Sequence, residues 1–304
     1  MDKKNPVFEA PAAPSLGVLY ESSEWSDFKF AMELCARDVP VRMIDMERPD
    51  AVEAALACTM LTSRVPASAV ARGHARSHAH MLELIEVAEA AGIPMMNTGS
   101  AFRYEISKLR GVRTLGSAGL CVPKVYACAP ADKIDVHALS YPCIIKPDCG
   151  GRSARTAVLR DDAEARAFLE EAPRDTTFIV EEFLVARAGY VTRIEIVGGA
   201  CAHIQKRSIA ACGLSSYHVG STYEAYDDTC PQEVRDVAER AAALLGFELG
   251  SFDVIETERA PYIIDTNAMT NVSADCEELL GFDLMAEHAA YVAARWFEHV
   301  GKLR

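Results

Sequence analysis

The chain has 304 residues, half of them hydrophobic and a quarter charged, with a formal net charge of −13. That length calls for two or three packed units of a globular protein, and the acidic balance excludes a broad nucleic-acid surface, which needs a positive field. No apolar run reaches the roughly 18 residues of a membrane span. The segment from Met1 to Pro6 lacks the apolar core of a signal peptide. The ten cysteines show no Cys-x-x-Cys spacing. A cytoplasmic protein with free thiols and neither zinc nor a membrane partner is therefore expected.

Positions 1–14, rich in Pro and Ala, read as a loose tail. From 15 to 106, apolar runs at 16–20, 41–46, 59–62 and 92–98 alternate with helical patterns at 24–37 and 80–91. This is the pattern of a parallel α/β domain, which binds ligands outside the carboxyl ends of its strands. Those ends carry Ser22 to Glu24, Arg64, and Asn97 with Thr98. Arg64, directly after a strand, is a candidate to face a substrate carboxylate, the alternative being a solvent arginine at a loop start. His74, His78 and His80 form the densest histidine group. They lack a zinc-ligand pattern, so a mixed polar loop near a substrate is the expectation.

The segment 107–184 predicts a small α+β unit. Ser107 caps a helix running to Gly119, and Lys108 sits in its first turn, where a cation opposes the helix dipole and calls for an anion. The run from Tyr141 to Leu159 reads as strand, loop, strand. Lys146 ends the first strand, and Gly150 and Gly151 let the loop backbone approach a ligand and adopt positive φ. That is a lid that can fold over an anion, or else a surface hairpin with a solvated lysine. A helix at 162–171 and a strand at 177–180 follow.

From 185 to 304 a mixed-sheet domain is expected. Strands at 190–197 and 200–208 flank the Gly198-Gly199 turn, a helix covers 231–245, strands cover 249–256 and 262–266, and a helical region starts at Asp283. Asp253, Asp265 and Asn267 lie on two otherwise apolar strands, with 265 and 267 on one face. Such groups need a cation or a donor, and oxygen-only ligands favour Mg²⁺ or Mn²⁺ over zinc. The alternative is acids capping a hydrogen-bonded turn.

With these features in order the chain resembles the ATP-grasp superfamily, nearest the glutamate-adding amino-acid ligases that modify proteins, peptides and lysine-pathway intermediates. The motifs are Ser107 to Arg110, Ala118 to Pro123, Ile145-Lys146-Pro147 with its glycine loop, Val180 to Phe183, Lys206-Arg207, Asp253, and Asp265-x-Asn267. The resemblance implies an ATP-grasp fold. It implies that Lys108 and Lys146 hold the ATP phosphates under a lid bearing Gly150, Gly151, Arg152 and Ser153. Glu181, Glu182, Phe183 and Leu184 would form the adenine hinge, and Asp253, Asp265 and Asn267 would carry Mg²⁺. Arg193, Lys206 and Arg207 would be catalytic.

The implied reaction joins a small-molecule or peptide carboxylate to an amine through an acyl phosphate, releasing ADP and phosphate. A non-catalytic ATP-binding regulator and an ATP-grasp carboxylase or phosphotransferase are the alternatives, and a homo-oligomer is left open. The family's Glu-x-Asn is Asp265-x-Asn267 here, and no acid stands near Val191 to hold ribose. The segment Leu214 to Gly220 keeps His218 but lacks the family's two arginines, a charge that Arg152 and Arg155 are candidates to supply. Cys149 in the lid is an inert structural cysteine or, as a lesser alternative, an acidified, oxidisable thiol.

Overall fold

The computed structural model describes residues 13–22 and 24–303, so most of the tail expected over 1–14, and Ser23, lie outside the described residues. The chain begins β1 (Leu16–Tyr20), α1 (Trp25–Cys35), β2 (Val41–Asp45), α2 (Ala51–Leu56), β3 (Met60–Ser63), α3 (Ala75–Ala91), β4 (Met95–Met96) and α4 (Gly99–Glu105). It continues α5 (Lys108–Ser117), β5 (Val125–Pro130), β6 (Cys143–Pro147), β7 (Ala157–Leu159), α6 (Asp162–Glu171), β8 (Thr177–Glu182), β9 (Tyr190–Val197) and β10 (Ala200–Ser208). It closes with β11 (Tyr223–Ala225), α7 (Gln232–Leu245), β12 (Leu249–Glu256), β13 (Pro261–Asn267), α8 (Ala274–Leu280) and α9 (Leu284–Lys302).

Two compact units emerge, one from positions up to 65, 74–99 and 283 onward, the other from 66–73 and 100–282. The first holds the parallel sheet β2-β1-β3-β4. Strand β1 is buried from Leu16 to Leu19 without alternation, as expected of a strand covered on both faces. Helix α9 packs on α1 through a stripe that includes Leu284, Met285, Val292 and Trp296, and Lys29 bridges to Asp283 at 2.7 Å. The sequence grouped this helix with 185–304; its apolar stripe is buried in the first unit instead. Helix α3 starts at Ala75, not at 80. Ser77, His78, Met81, Leu84, Ile85 and Ala88 are buried at helical spacing, so the expected histidine loop is mostly helix.

The second unit contains two antiparallel sheets, ordered β5-β8-β6-β7 and β11-β10-β9-β12-β13. The smaller sheet buries Cys143, Ile145, Phe178 and Val180 over Leu159 and Ala165. All pairs of the larger sheet are antiparallel, where a mixed sheet was expected. Its strands alternate, so Ile194, Ile196, Ile204, Phe252 and Val254 pack on Val234, Ala238, Ala241 and Leu245 of α7. The opposite face is left to polar side chains, and the site lies there.

Candidate active site

Strand pairing sets two rows across the polar face of the larger sheet. In one row Gln205 stands opposite Arg193, Arg193 opposite Asp253, and Asp253 opposite Asp265. In the next, His203, Glu195, Ser251 and Asn267 follow in the same way. A β-bulge makes the first row possible. Asp253 pairs with Asp265 but Val254 pairs with Ile263, which leaves Ile264 as an extra residue. Ile263 faces α7, and strict alternation would turn Asp265 the same way; the extra residue turns it toward Asp253. Lys146 Nζ donates to the Ile264 carbonyl at this bulge, at 2.8 Å.

Arg193 and Arg207 converge on Asp253. Arg193 donates from Nη1 at 3.2 Å, and Arg207 Nη2 lies 2.5 Å from the other carboxylate oxygen. Burial alone would raise the Asp253 carboxyl, but Arg207 and then Arg193 outweigh it and hold it below the ordinary range. Arg193 Nε also donates to Glu195 Oε1 at 2.8 Å. Burial opposes the Arg193 charge, yet Glu195 and Asp253 push its pKa up.

The lysines approach from the other elements of this unit. Lys108 Nζ donates to Asp265 Oδ1 at 2.7 Å. Burial works against the Lys108 ammonium, but Asp265, Glu105 and Glu181 prevail and raise its pKa. The expected conflict with the α5 dipole is met by Asp148. Its carboxylate accepts from Leu109 N at 2.7 Å and Ser107 Oγ at 3.0 Å, an anion at the helix N-terminus. Lys146 Nζ sits 2.8 Å from Glu181 Oε2, with the two side chains 10 % and 1 % exposed. Glu181 Oε2 is thus paired with Lys146. Glu182 N donates to Lys124 O at 2.8 Å, and Phe183 and Leu184 follow the strand half-buried.

The loop between β6 and β7 differs from expectation in its backbone. Positive φ falls on Arg152 (61°), Ser153 (54°) and Arg155 (52°), and not on Gly150 or Gly151. A Cβ on Gly150 would stand 3.1 Å from Pro147 Cβ, so this glycine sits in close packing rather than at a positive φ. Ser153 Oγ donates to Ser216 Oγ at 2.9 Å, tying the loop to the segment that carries the exposed His218. Cys149 Sγ lies 3.5 Å from the Ala67 carbonyl, and burial pushes its thiol up to about 11. Of the two readings of Cys149, the acidified thiol does not fit: desolvation outweighs the nearby Lys108 charge.

Three other expectations are corrected. Lys206 alternates to the opposite face from Arg207, where it meets Glu224 at 2.9 Å and the rings of Tyr226 and Tyr190 at 4.5 and 5.3 Å. It stands apart from the Arg193–Asp253–Arg207 cluster. In the first unit, Arg64 is 4 % exposed and donates to Asp27 Oδ1 at 2.9 Å and Ser26 Oγ at 3.1 Å, so its carboxylate is internal. The histidines diverge: His74 pairs with Glu21, His80 Nδ1 lies 2.8 Å from the Met46 carbonyl, and His78 is buried. Among the described residues no group of three or more His, Cys, Asp or Glu is arranged around a metal position.

Sequence reading missed Glu105, Asp148, Glu195 and Gln205. Buried Glu105 accepts from Ala67 N at 2.9 Å and from Ala268 N, beside Asn267, at 2.7 Å; burial raises its pKa. No pattern in sequence marks Glu105. Glu195 and Gln205 were accessible, because each lies two residues from an arginine already singled out. Gly250 was missed as well. At φ +148°, its Cβ position lies 2.4 Å from the Asn267 carbonyl oxygen, so only glycine lets β12 pass this close to β13.

The ATP-grasp domain family matches residues 106–271, the span that contains both lysines, both arginines and the Asp265-x-Asn267 pair. The chain belongs to the ATP-grasp family. It is 29 % identical over 202 residues to a "probable alpha-L-glutamate ligase" from Xanthomonas campestris pv. campestris (strain B100), covering 64 % of this chain and 68 % of that protein. The crystal structure of a RimK domain protein ATP-grasp from Sphaerobacter thermophilus DSM 20745 has a TM-score of 0.67 at 20 % identity, covering 91 % of this chain and 98 % of that one. D-alanine–D-alanine ligase from Bacillus anthracis, complexed with ATP, reaches 0.70 at 13 % identity, covering 96 % and 99 %. These likenesses agree with the expected ATP-grasp fold. Among the described residues no helix is long and apolar enough to cross a membrane.

Proposed function

We propose that this ATP-grasp protein is an ATP-dependent carboxylate–amine ligase that forms an amide through an acyl phosphate. The observation that carries this is the cationic cluster of Arg193 and Arg207 around Asp253, beside Lys108 on Asp265 and Lys146 at the bulge. Four cations on one sheet face and its border, within a family whose relatives are named as glutamate ligases, suit the transfer of a phosphoryl group to a carboxylate.

In this reading Lys108 and Lys146 hold the ATP phosphates. The loop with Gly150, Gly151, Arg152 and Ser153 covers them, and the subdomain 107–184 that carries this loop acts as the lid. The backbone of Glu181 to Leu184 borders adenine, while the Glu181 side chain fixes Lys146. The substrate carboxylate oxygen attacks the γ-phosphorus, and the bond to the bridging oxygen breaks with its electron pair leaving on ADP. The amine then attacks the acyl carbon, the bond to phosphate breaks, and the nitrogen loses a proton. Arg193 and Arg207 offset charge on the acyl phosphate and on the oxyanion of the second step. Closure of the loop over the phosphates keeps water from the acyl phosphate.

Asp253, Asp265 and Asn267 fit a hard divalent cation by donor chemistry. They offer oxygen ligands from one face of paired strands, and Asp253 is held anionic. Bound there, Mg²⁺ would offset phosphate charge. The test is ADP release by purified protein with Mg²⁺ against a panel of acids, including L-glutamate, each paired with amines and with hydroxylamine. Hydroxamate formation that requires both ATP and an acid is expected. ATP turnover indifferent to every acid and amine would refute the reading.

A further inference from the structure

We infer that Glu195 Oε2 and Gln205 Oε1 form the subsite that receives the amine of the nucleophilic substrate. The inference rests on the ligase reading and names a part of that site which the family motifs leave unassigned. Both side chains lie on the polar face of the larger sheet, and both are well buried: Glu195 is 3 % and Gln205 7 % exposed. Glu195 Oε1 accepts from Arg193 Nε, but its Oε2 is buried and, among the described residues, has no hydrogen-bond partner, and the same holds for Gln205 Oε1. Two orphaned acceptors on adjacent strands are out of keeping with a finished core, where buried oxygens find donors.

Their positions fit one donor-rich group. Glu195 pairs with His203 and Gln205 pairs with Arg193, so Glu195 and Gln205 are diagonal cross-strand neighbours, about 7–8 Å apart and within reach of long side chains. A primary amine or ammonium presents several N–H donors and no competing negative charge, which answers a carboxylate oxygen and an amide oxygen together. A divalent cation would seek more oxygens than these two supply. Arg193 is bonded to Glu195 and stands opposite Gln205. The guanidinium that offsets the acyl phosphate charge is therefore adjacent to the acceptors, which sets the nucleophile next to its electrophile.

The test uses thermal denaturation of the full chain with Mg²⁺ and AMPPNP. Methylamine, L-lysine and L-glutamate are added in turn, each compared with its N-acetylated counterpart. A free amine that stabilises the wild type more than its acetylated form is expected. Its apparent affinity should fall at least about fivefold in both Glu195→Gln and Gln205→Met, with the AMPPNP-induced shift retained. Glu195→Gln keeps an oxygen for Arg193 Nε but turns an N–H toward the amine; Gln205→Met removes an acceptor at similar volume. The subsite is overturned if no free amine outperforms its acetylated form, if either variant keeps wild-type amine affinity, or if nucleotide and amine effects are lost together. A wild type that AMPPNP fails to stabilise would instead overturn the ligase reading, and the subsite with it.

Discussion

Replacing Lys146 with methionine separates what this lysine does for the fold from what it does for the ligand. Its Nζ lies 2.8 Å from both Glu181 Oε2 and the Ile264 carbonyl, and the Lys146 and Glu181 side chains are 10 % and 1 % exposed. Removing one partner of a buried pair leaves the other charge uncompensated, at a cost of about 3–5 kcal/mol. Loss of the donor at the bulge carbonyl adds up to about 1 kcal/mol. Urea unfolding of Lys146→Met should register this sum as a lower midpoint. Adding Glu181→Leu removes the orphaned carboxylate and should recover most of the loss, because a neutral apolar pair is often as stable as the ion pair it replaces. AMPPNP binding, measured by calorimetry, should stay abolished in the double variant. A single variant as stable as wild type would refute the energetic reasoning, and a double variant that binds nucleotide normally would refute the phosphate role.

Asp253→Asn tests the arginine cluster. A carboxyl with a depressed folded pKa contributes stability that is complete above its unfolded value, 3.8 for this group, and is lost as pH falls through the folded value. The stability gap between wild type and Asp253→Asn should be flat from about pH 5 to 8 and should shrink below about pH 4; a gap that widens on acidification would contradict the assignment. Gly250→Ala should destabilise by about 2–4 kcal/mol in urea and depress turnover, because the new Cβ collides with the Asn267 backbone at a φ alanine avoids. A neutral Gly250→Ala would contradict the close approach. Lys206→Ala should leave steady-state kcat within about twofold, whereas Arg207→Ala should lower it by about 10²-fold or more, since only Arg207 faces Asp253.

Much of the fold was legible where local chemistry and tertiary packing agree. The Gly198-Gly199 hairpin, the helix at 162–171 and the β6–β7 hairpin appear as read, because turn residues and alternation suffice to specify them. Packing overrode pattern elsewhere. Helix α9 joins the first unit through a stripe whose partner, α1, lies some 250 positions away in sequence, which no window reveals. Within the site, Lys108 was flagged by its awkward helix position, and Asp265 answers it. Lys206 was misplaced because adjacency in a motif obscures the strand rule that neighbours face opposite ways. Glu105 was invisible because its two partners, at 67 and 268, are distant in sequence. Arg64 was misread for the same reason: Asp27, which neutralises it, sits on another element.

The most direct test of the proposed chemistry follows oxygen. An acid found to support turnover is labelled with ¹⁸O in its carboxylate, and the released phosphate is examined by mass spectrometry. Attack of that carboxylate on the γ-phosphorus, followed by displacement of the acyl phosphate by the amine, carries one labelled oxygen into each phosphate. Phosphate with one ¹⁸O per amide formed is the predicted result; unlabelled phosphate alongside amide would contradict it.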